Sequence, residues 1–263
     1  MEEMSRYLRD PAFVVFEATS ARDVLRIRRE VEGRRWAAGH GIPTAETVAK
    51  DPADRWLVTR LIRDEAGEPP TYVAAAMEMA QRIQRLPPPR FASRGSTWRA
   101  PRRSLPVRVG RLLRAGIDLR TFAAVRRAYA RLPCDATLHN DYHRDNVLNS
   151  TGELGHVTVI DWEFTAIGPR YQDMVRMIVD LRDAAAARDA WDRLVGSVPL
   201  ADRHSLATQL RWLALRTYGT EVTVPPGVVD PAKCERRRAR WLDAQEWARE
   251  LAPVGPGPRR TDD

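Results

Sequence analysis

The sequence predicts an α+β protein with two lobes: a small, truncated, β-rich N-terminal lobe and a larger, mainly helical C-terminal lobe. Two observations indicate this fold class. Apolar, strand-like runs are concentrated near the N-terminus, whereas the sequence after residue 170 follows a helical pattern almost throughout. We therefore expect an N-terminal lobe at residues 1–62, a C-terminal lobe at residues 63–251 and a disordered tail at residues 252–263.

The N-terminal lobe is predicted to begin with a hairpin and a helix. The runs "FVVFEA" (13–18) and "DVLRI" (23–27) have strand composition and are separated by the turn-prone "TSAR". A helix is predicted over residues 28–41, because glycines at its end and Pro43 just beyond form a stop signal. The run "RWLVTRLI" (55–62) predicts a further, buried strand.

The C-terminal lobe is predicted to consist mostly of helices. An Ala- and Met-rich helix over residues 71–86 must end at the prolines 87–89. The stretch 90–106 is rich in Arg, Ser and Pro and predicts a loop, and "HVTVID" (156–161) predicts a short strand. Further helices are predicted over residues 107–115, 119–131, 170–187, 188–195, 201–218 and 231–251, with "TVPPGVVDP" separating the last two.

Composition excludes several classes of protein. Hydrophobic residues make up 43% of the chain and charged residues 30%, which is typical of soluble globular proteins. No apolar run approaches the roughly 18 residues that span a bilayer, and the beginning of the chain lacks a signal-peptide pattern. We expect a cytoplasmic protein without a membrane partner. Cys134 and Cys234 are too few for a disulfide scaffold and are expected to be reduced thiols.

The formal net charge of +8 raises nucleic acid as a possible partner. Of the 43 basic residues only Lys50 and Lys233 are lysines, and the arginines cluster locally at residues 99–103 and 236–240. No zinc-finger spacing, aromatic RNA-binding signature or basic zipper accompanies these clusters. Solvated helix faces account better for the pattern, so nucleic-acid binding is not expected and stays a third hypothesis.

The central segment "LHNDYHRDNVLNSTGELGHVTVIDWE" (138–163) concentrates short polar side chains around a hydrophobic run. Asp141 is followed five residues later by Asn146, and the predicted strand places Asp161 at its carboxyl end. Phosphoryl transfer requires Mg²⁺ ligands and a group that aims a hydroxyl, and Mg²⁺ prefers carboxylate and amide oxygens. The spacing indicates that Asp141 aims the hydroxyl and that Asn146 and Asp161 bind the metal.

This segment resembles the signature of the aminoglycoside phosphotransferase and choline kinase superfamily, which usually has H-G-D-x-H-x-x-N-x-L, then I-D-W and G-x-x-x-x-D. The resemblance extends over roughly residues 13–187. Asn140 stands where the family favours glycine, and asparagine tolerates a positive φ. The matching residues are His139, Asp141, His143, Asn146, Leu148, Ile160, Asp161, Trp162, Gly168 and Asp173.

The resemblance implies a protein-kinase-like fold and a phosphotransferase that uses Mg²⁺ and ATP or GTP. It assigns Asp141 to orienting the acceptor hydroxyl and taking its proton, and Asn146 and Asp161 to binding the metal. His139, His143 and Asp173 would support the catalytic loop; as single residues they are hydrogen-bonded framework residues rather than metal ligands.

The resemblance also extends to the nucleotide site. Arg26 in "VLRI" would bind phosphate with Glu30 holding it, and the backbone from Thr59 to Leu61 would pair with adenine. Two alternatives stay open: Arg26 and Glu30 could form only a surface pair four residues apart on a helix, or Arg28 could be the phosphate ligand. No Gly-rich stretch precedes residue 13, so the usual flap over the phosphates is missing or minimal.

The acceptor is expected to be a small hydroxylated molecule. Family likeness suggests an antibiotic or aminosugar, then choline-like or sugar alcohols, with Glu163, Asp180 and Glu221 as candidates for contacting a cationic acceptor. The net charge of +8 favours a less cationic acceptor, such as a nucleoside or peptide antibiotic or a sugar. The main alternative is a catalytically inactive, kinase-like module that binds a nucleotide or another ligand.

Overall fold

The structure is a computed structural model that describes residues 4, 7–8, 10–64, 67–94, 110, 112–149, 157–222 and 230–251. The predicted disordered tail and most of the predicted 90–106 loop lie outside the described residues. So do the break at 223–229, the beginning of the strand predicted at 156–161 and part of the helix predicted at 107–115.

The described residues form short strands and mostly longer helices, as the predicted α+β class requires. Short 3-10 turns lie at Arg144–Asn146, Trp162–Phe164 and Leu200–Asp202. In chain order the strands and α-helices are β1 (Phe13–Glu17), α1 (Ala21–Gly39), β2 (Thr47–Lys50), β3 (Trp56–Arg60), α2 (Pro70–Ile83), β4 (Ser93–Arg94), α3 (Leu119–Ala130), β5 (Ala136–Leu138), β6 (Val147–Leu148), β7 (Thr158–Val159), β8 (Ala166–Gly168), α4 (Gln172–Asp180), α5 (Ala184–Ser197), α6 (Arg203–Val222) and α7 (Pro231–Glu250).

The chain divides into two compact units. The first comprises Met1–Arg99 and Pro133–Trp191, and the second comprises Ala100–Leu132 and Asp192–Asp263. The lobe boundary expected after residue 62 lies inside the first unit. No helix among the described residues is long and apolar enough to cross a membrane.

An antiparallel sheet of order β1-β3-β2 opens the first unit. The strand predicted at 55–62 is its central strand, β3, whose alternation separates two faces. Trp56 and Val58 pack with Met4 on one face, whereas Leu57 packs against Ile27 and Val31 of helix α1 on the other. Helix α1 is thereby held against this sheet.

The prediction of a strand at residues 23–27 was wrong, because these residues lie in the first turns of α1. The side chain of Ser20 accepts from the N–H of Asp23 at 3.3 Å, and its hydroxyl donates to the Asp23 carboxylate at 2.7 Å. This reciprocal cap starts a helix. Ile27 and Val31 then bury their side chains with helical spacing on the sheet, which outweighs the local strand composition.

Other helix boundaries follow the predictions closely, with one exception. The break predicted between residues 187 and 188 was wrong, because both lie inside α5. The chain leaves the helical conformation earlier, at Leu181, whose extended backbone angles end α4. The carboxylate of Asp183 then accepts from the N–H groups of Ala185 and Ala186 and caps α5. Strand β2 and the short strands β4, β5, β6 and β8 had no counterpart in the sequence prediction.

The second unit is a helical cluster formed by α3, α6 and α7. The rings of Trp212 and Tyr129 stack between α6 and α3 with their centroids 5.5 Å apart. Between α6 and α7, the Arg211 guanidinium donates to the side-chain oxygen of Gln245 at 3.0 Å. Aromatic packing and side-chain hydrogen bonds therefore join these helices.

Candidate active site

Two short antiparallel strands bring the ends of the central segment together. Strands β6 and β7 pair with Val147 opposite Val159, and the N–H of Ile160 donates to the carbonyl of Asn146 at 3.0 Å. Asn146 directly precedes β6, and Asp161 follows Ile160. The hairpin therefore places Asn146 and Asp161 at the same end of one small sheet.

The carboxylate of Asp141 has one oxygen engaged and the other open. Its Oδ2 atom accepts from the Asn146 side-chain amide at 3.3 Å and lies 3.5 Å from Nε2 of His143. The N–H of Asp145 donates to Nδ1 of His143, so the proton of a neutral imidazole lies on Nε2, the nitrogen nearest Asp141. Among the described residues Oδ1 has no hydrogen-bond partner, which makes it the atom that can accept from a hydroxyl group.

Opposing effects set the pKa of Asp141. Burial raises the pKa, but the hydrogen bond from His143 and the positive charge of Arg176 hold it well below its usual range. The Asp141 carboxylate is therefore ionised at neutral pH. An ionised carboxylate is the form that orients a hydroxyl by accepting its hydrogen bond.

Asp161 occupies a backbone conformation that few non-glycine residues adopt. Its φ of 62° and ψ of 58° are left-handed, and they turn the chain from β7 into the 3-10 turn Trp162–Phe164. Burial, followed by the charge of Glu163, raises the pKa of Asp161, and the charge of Arg34 opposes this rise. A partly buried carboxylate with a raised pKa gains most when a cation binds it.

Asp173 holds the backbone of the loop that carries Asp141. Its two carboxylate oxygens accept from the N–H groups of His139 at 2.6 Å and Asn140 at 3.0 Å. Burial raises the pKa of Asp173 to about 7. Asn140 has a φ of 69°, which places an asparagine in the left-handed region at the position where the family favours glycine.

His139 is a buried framework residue. Its Nε2 atom lies 2.8 Å from the carbonyl of Ile160, so Nε2 carries the proton and donates. Burial lowers the pKa of His139 to about 4, so the ring is neutral at neutral pH. The ring packs edge-to-face on Trp162, with centroids 4.8 Å apart. His139 therefore connects the loop that carries Asp141 to the turn that carries Asp161.

The expected brace between Arg26 and Glu30 is not present. Arg26 instead donates from Nε to both Glu163 oxygens, at 2.9 and 2.8 Å, and from Nη2 to one of them. Glu30 pairs with Arg34, one turn further along α1. Both members of that second pair are less than 10% exposed, whereas the Arg26 side chain is 53% exposed. A buried carboxylate requires a cation at its own depth, and Arg34 meets this condition.

The Glu30–Arg34 pair attaches α1 to the turn that follows Asp161. The second oxygen of Glu30 accepts from the backbone N–H of Glu163 at 3.0 Å. One turn along the helix, a Cβ atom at Gly33 would lie 2.5 Å from Cβ of Trp162, so only glycine permits this approach. Helix α1 and the turn therefore form one structural element of the site.

Arg28, the alternative phosphate ligand, is directed elsewhere. Its Nε atom donates to Asp54 at 2.9 Å, and Arg28 is not among the residues that line the pocket at Asp161. This arrangement favours Arg26 over Arg28 as the cation of the site.

The pocket at Asp161 has a volume of about 180 Å³ and is rich in carboxylates. Arg26 is the one basic residue among the described residues that line this pocket. The Nε and Nη2 atoms of Arg26 already donate to Glu163. Carboxylate oxygens are hard ligands that suit Mg²⁺. The lining residues are Phe16, Glu17, Asp23, Arg26, Ile27, Glu30, Leu57, Asp161 and Glu163.

Backbone groups of the strand expected to pair with adenine already form hydrogen bonds within the protein. Thr59 is buried in β3 between Val14 of β1 and Thr47 of β2. The N–H of Leu61 donates to the carbonyl of Ala12 at 2.8 Å, because the β1–β3 pairing continues beyond the strand end. An adenine ring therefore cannot use the Leu61 N–H without displacing this bond, contrary to the expectation for residues 59–61.

The three acceptor candidates lie in different surroundings. Glu163 holds Arg26 and belongs to the pocket at Asp161. Asp180 ends α4 next to the loop that carries Asp141, with a carboxylate oxygen 3.7 Å from Nδ1 of His143. Glu221 lies in the second unit, where it accepts from Arg237 at 2.5 Å. Of the three, Asp180 is the one beside the loop that carries Asp141.

Sequence reasoning missed Arg34 and the role of Glu163 as the partner of Arg26. A signal for Arg34 was present, because Glu30 and Arg34 have the i,i+4 order that favours ion pairing on a helix. Gly33 in the middle of the same helix also signalled a close approach. No local signal could reveal the contact between Arg26 and Glu163, which are 137 positions apart.

The sequence matches the model of a family described as the phosphotransferase enzyme family, over residues 5–213. No curated protein matches the chain at a significant level.

Solved structures with similar folds include two related to choline kinases. A choline/ethanolamine kinase family protein from Mesorhizobium loti has 18% identity and a TM-score of 0.60, over 93% of this chain and 87% of its own. The choline kinase from Streptococcus pneumoniae has 12% identity and a TM-score of 0.58, over 90% and 86%. An amicoumacin kinase has 13% identity and a TM-score of 0.55, over 95% and 89%. These similarities confirm the predicted kinase-like α+β fold.

Proposed function

This chain belongs to the phosphotransferase enzyme family, and we propose that it is a Mg²⁺-dependent kinase that transfers the γ-phosphoryl group of ATP or GTP to a hydroxyl group of a small molecule. The observation that carries this proposal is the arrangement of Asp141, Asn146 and Asp161. An ionised carboxylate with one open oxygen lies in the same loop as Asn146, and the β6–β7 hairpin holds Asn146 next to Asp161.

Asp141 acts on the acceptor. Its Oδ2 atom is occupied by Asn146 and faces His143, so Oδ1 accepts the hydrogen bond of the acceptor hydroxyl. A carboxylate with a lowered pKa is too weak a base to remove this proton before phosphoryl transfer begins. In a loose transition state the proton leaves late, so Asp141 contributes mainly by positioning the oxygen for in-line attack.

Asn146 and Asp161 suit a hard divalent cation. They offer amide and carboxylate oxygens at one end of a hairpin, beside a pocket with five carboxylates. Bound Mg²⁺ would neutralise phosphate charge. The left-handed backbone of Asp161 and the neighbouring Glu30–Arg34 pair hold this carboxylate in place.

Arg26, which lines the same pocket as Asp161, is proposed to contact phosphate oxygens. Its fork-shaped guanidinium suits two oxygens at once, and Glu163 sets its orientation. Because Arg26 is half-exposed, it can exchange part of its bond with Glu163 for a phosphate. Positive charge that faces the transferred group stabilises the transition state.

Nucleotide use and a hydroxylated acceptor are supported by what related folds contain. The amicoumacin kinase structure holds AMP-PNP, Ca²⁺ and amicoumacin, and an aminoglycoside phosphotransferase of similar fold holds GDP and kanamycin. For this chain we propose an acceptor with few amino groups. The carboxylate of Asp180 beside the catalytic loop suits one ammonium group, while the net charge of +8 disfavours a polycation.

A catalytically inactive binding module is the second candidate. The observation that favours it is the engaged N–H of Leu61, together with a pocket in which Arg26 is the one basic residue among those described. Such a protein would bind nucleotide or another ligand and transfer no phosphate.

A screen for nucleotide consumption separates the two candidates. Wild-type protein is incubated with Mg²⁺ and ATP or GTP, over a panel of hydroxylated antibiotics, aminosugars, choline-like alcohols and sugars. The Asp141→Ala variant is the matched control. We expect at least one acceptor to give wild-type turnover that this variant lacks. Nucleotide binding without transfer to any acceptor would favour the inactive module.

A further inference from the structure

A second cleft of about 460 Å³ lies between helix α1 and strand β2. It shares no lining residue with the pocket at Asp161. Its volume is within the range of about 300–1,000 Å³ that is usual for small-molecule sites. Apolar side chains such as Val31 and Val48 line part of it, and three cations, Arg34, Arg35 and Lys50, line the rest.

The positive charge of this cleft is not balanced within it. Glu46 is the one acidic residue among its described lining residues, and Arg60 donates to its carboxylate at 2.8 Å. Lys50 is paired with Asp54 at 3.1 Å, whereas Arg35 has no ion pair among the described residues. Since Arg34 is also paired, with Glu30, Arg35 is the one lining cation without a carboxylate partner among the described residues, and it lies next to an apolar wall.

Arg34 gives an independent reason to expect a ligand. The residue is 4% exposed, and its Nε atom donates to Glu30. Its Nη1 atom is shielded from solvent and has no hydrogen-bond partner among the described residues. A charged N–H group that is withdrawn from water without an acceptor is costly. Arg34 also lines the cleft, so an acceptor bound there would satisfy Nη1 if the atoms that cover it shift aside.

We propose that this cleft binds a small amphipathic anion, in which a carboxylate or a phosphate monoester is attached to a compact apolar body. Arg34 anchors the anionic group at the buried end, and Arg35 and Lys50 attract it at the exposed side. The apolar body packs against Val31 and Val48. An anion without an apolar part, such as inorganic phosphate, satisfies only the cationic half of the lining.

The cleft is linked to the Asp161 pocket through Glu30 and through Arg34, whose charge acts on Asp161. Glu30 lines that pocket, bonds Arg34 and accepts from the N–H of Glu163. Binding must therefore be measured so that the two sites are distinguished. Arg26 lines the pocket and not the cleft, and Arg35 and Lys50 line the cleft and not the pocket.

The test is calorimetry of the full chain at low ionic strength, where charge interactions are least screened. The probes are phenyl phosphate and benzoate, which represent the two sources of negative charge. Inorganic phosphate and benzyl alcohol each lack one half of the proposed ligand. The proteins are wild type, Arg35→Met, Lys50→Met and Arg26→Met as the control from the other pocket.

We expect phenyl phosphate or benzoate to bind wild type and Arg26→Met equally, and Arg35→Met and Lys50→Met about tenfold more weakly, the effect of losing one charge-assisted contact. Inorganic phosphate and benzyl alcohol, which each lack one half of the proposed ligand, should bind more weakly than phenyl phosphate or benzoate. Arg34→Lys, which keeps the charge beside Glu30 but lacks Nη1, should also weaken binding, with the melting temperature as a check of folding.

Three results would overturn the proposal. The first is that neither anion binds the wild type. The second is that binding is lost in Arg26→Met and unchanged in both Arg35→Met and Lys50→Met, which would place the anion in the Asp161 pocket. The third is that inorganic phosphate binds as tightly as phenyl phosphate, which would remove the role of the apolar wall. If Arg34→Lys does not fold, the affinities of Arg35→Met and Lys50→Met still test the proposal.

Discussion

Arg26 and Glu163, which are 137 positions apart in the chain, form a bidentate ion pair at the pocket that contains Asp161. Arg26 comes from the first helix and Glu163 from the turn after the metal-binding candidate. The pair therefore joins the proposed phosphate ligand directly to the proposed metal site.

Replacing Arg26 by alanine should raise the KM for nucleotide and lower kcat by about 10²-fold, because contacts to phosphate strengthen in the transition state. Arg26→Lys keeps the charge but loses the fork and should lie between wild type and alanine. Steady-state kinetics at saturating Mg²⁺ measure both. Arg28→Ala is the control; a larger effect from Arg28 would show that the phosphate cation has been misassigned.

Replacing Asp161 by asparagine should abolish phosphoryl transfer while the melting temperature changes little. Asparagine tolerates the left-handed backbone of this position, so the turn is kept while the charge is lost. Calorimetry with and without Mg²⁺ should show that metal-dependent nucleotide binding is lost. Transfer at a rate near that of wild type would exclude Asp161 as a metal ligand.

Replacing Asp141 by alanine should lower kcat by about 10²–10⁴-fold with little effect on nucleotide binding or folding. The Asn146 amide still has the main-chain carbonyl of residue 141 as an acceptor, at 3.0 Å, so the loop keeps one of its bonds. Turnover and calorimetry on the same preparation test this. A variant that melts early and also loses nucleotide binding would make Asp141 a structural residue.

Replacing His143 by alanine should lower kcat by roughly tenfold, because Oδ2 of Asp141 loses a neighbouring N–H group and the carboxylate can rotate. His143→Gln offers an amide N–H and should restore part of the rate. The KM for nucleotide should not change in either variant. An alanine variant as active as wild type would show that Asn146 alone orients Asp141.

The buried carboxyl of Asp173 should make stability depend on pH. Burial raises the pKa of Asp173 to about 7 from 3.8, so between these values the folded state binds more protons than the unfolded state. Stability therefore falls as pH rises through this window, by at most about 1.4 kcal/mol per pH unit from this group.

Asp173→Asn is the matched control, since it does not titrate. Denaturant unfolding should show that the unfolding free energy of wild type falls relative to that of Asp173→Asn as the pH rises from 4 to 7. A constant difference over this range would show that Asp173 has the same pKa in the folded and the unfolded protein.

What the sequence by itself determined is local. The spacing from Asp141 to Asn146 sets a loop short enough for the two side chains to bond, and prolines after residue 86 limit helix α2. The family was also readable from the central segment, because a few covalently adjacent residues carry its signature. Such features depend on chain geometry and turn chemistry, which neighbouring residues dictate.

The tertiary structure decided which partners meet. Residues 23–27 have strand composition, yet they are helical because Ile27 and Val31 bury their side chains on Leu57 of the sheet. Glu30 is paired with Arg34 rather than Arg26 because a buried carboxylate needs a cation that is buried with it. Burial depends on elements far away in the chain, so sequence spacing alone offers several partners and only the packed fold selects one.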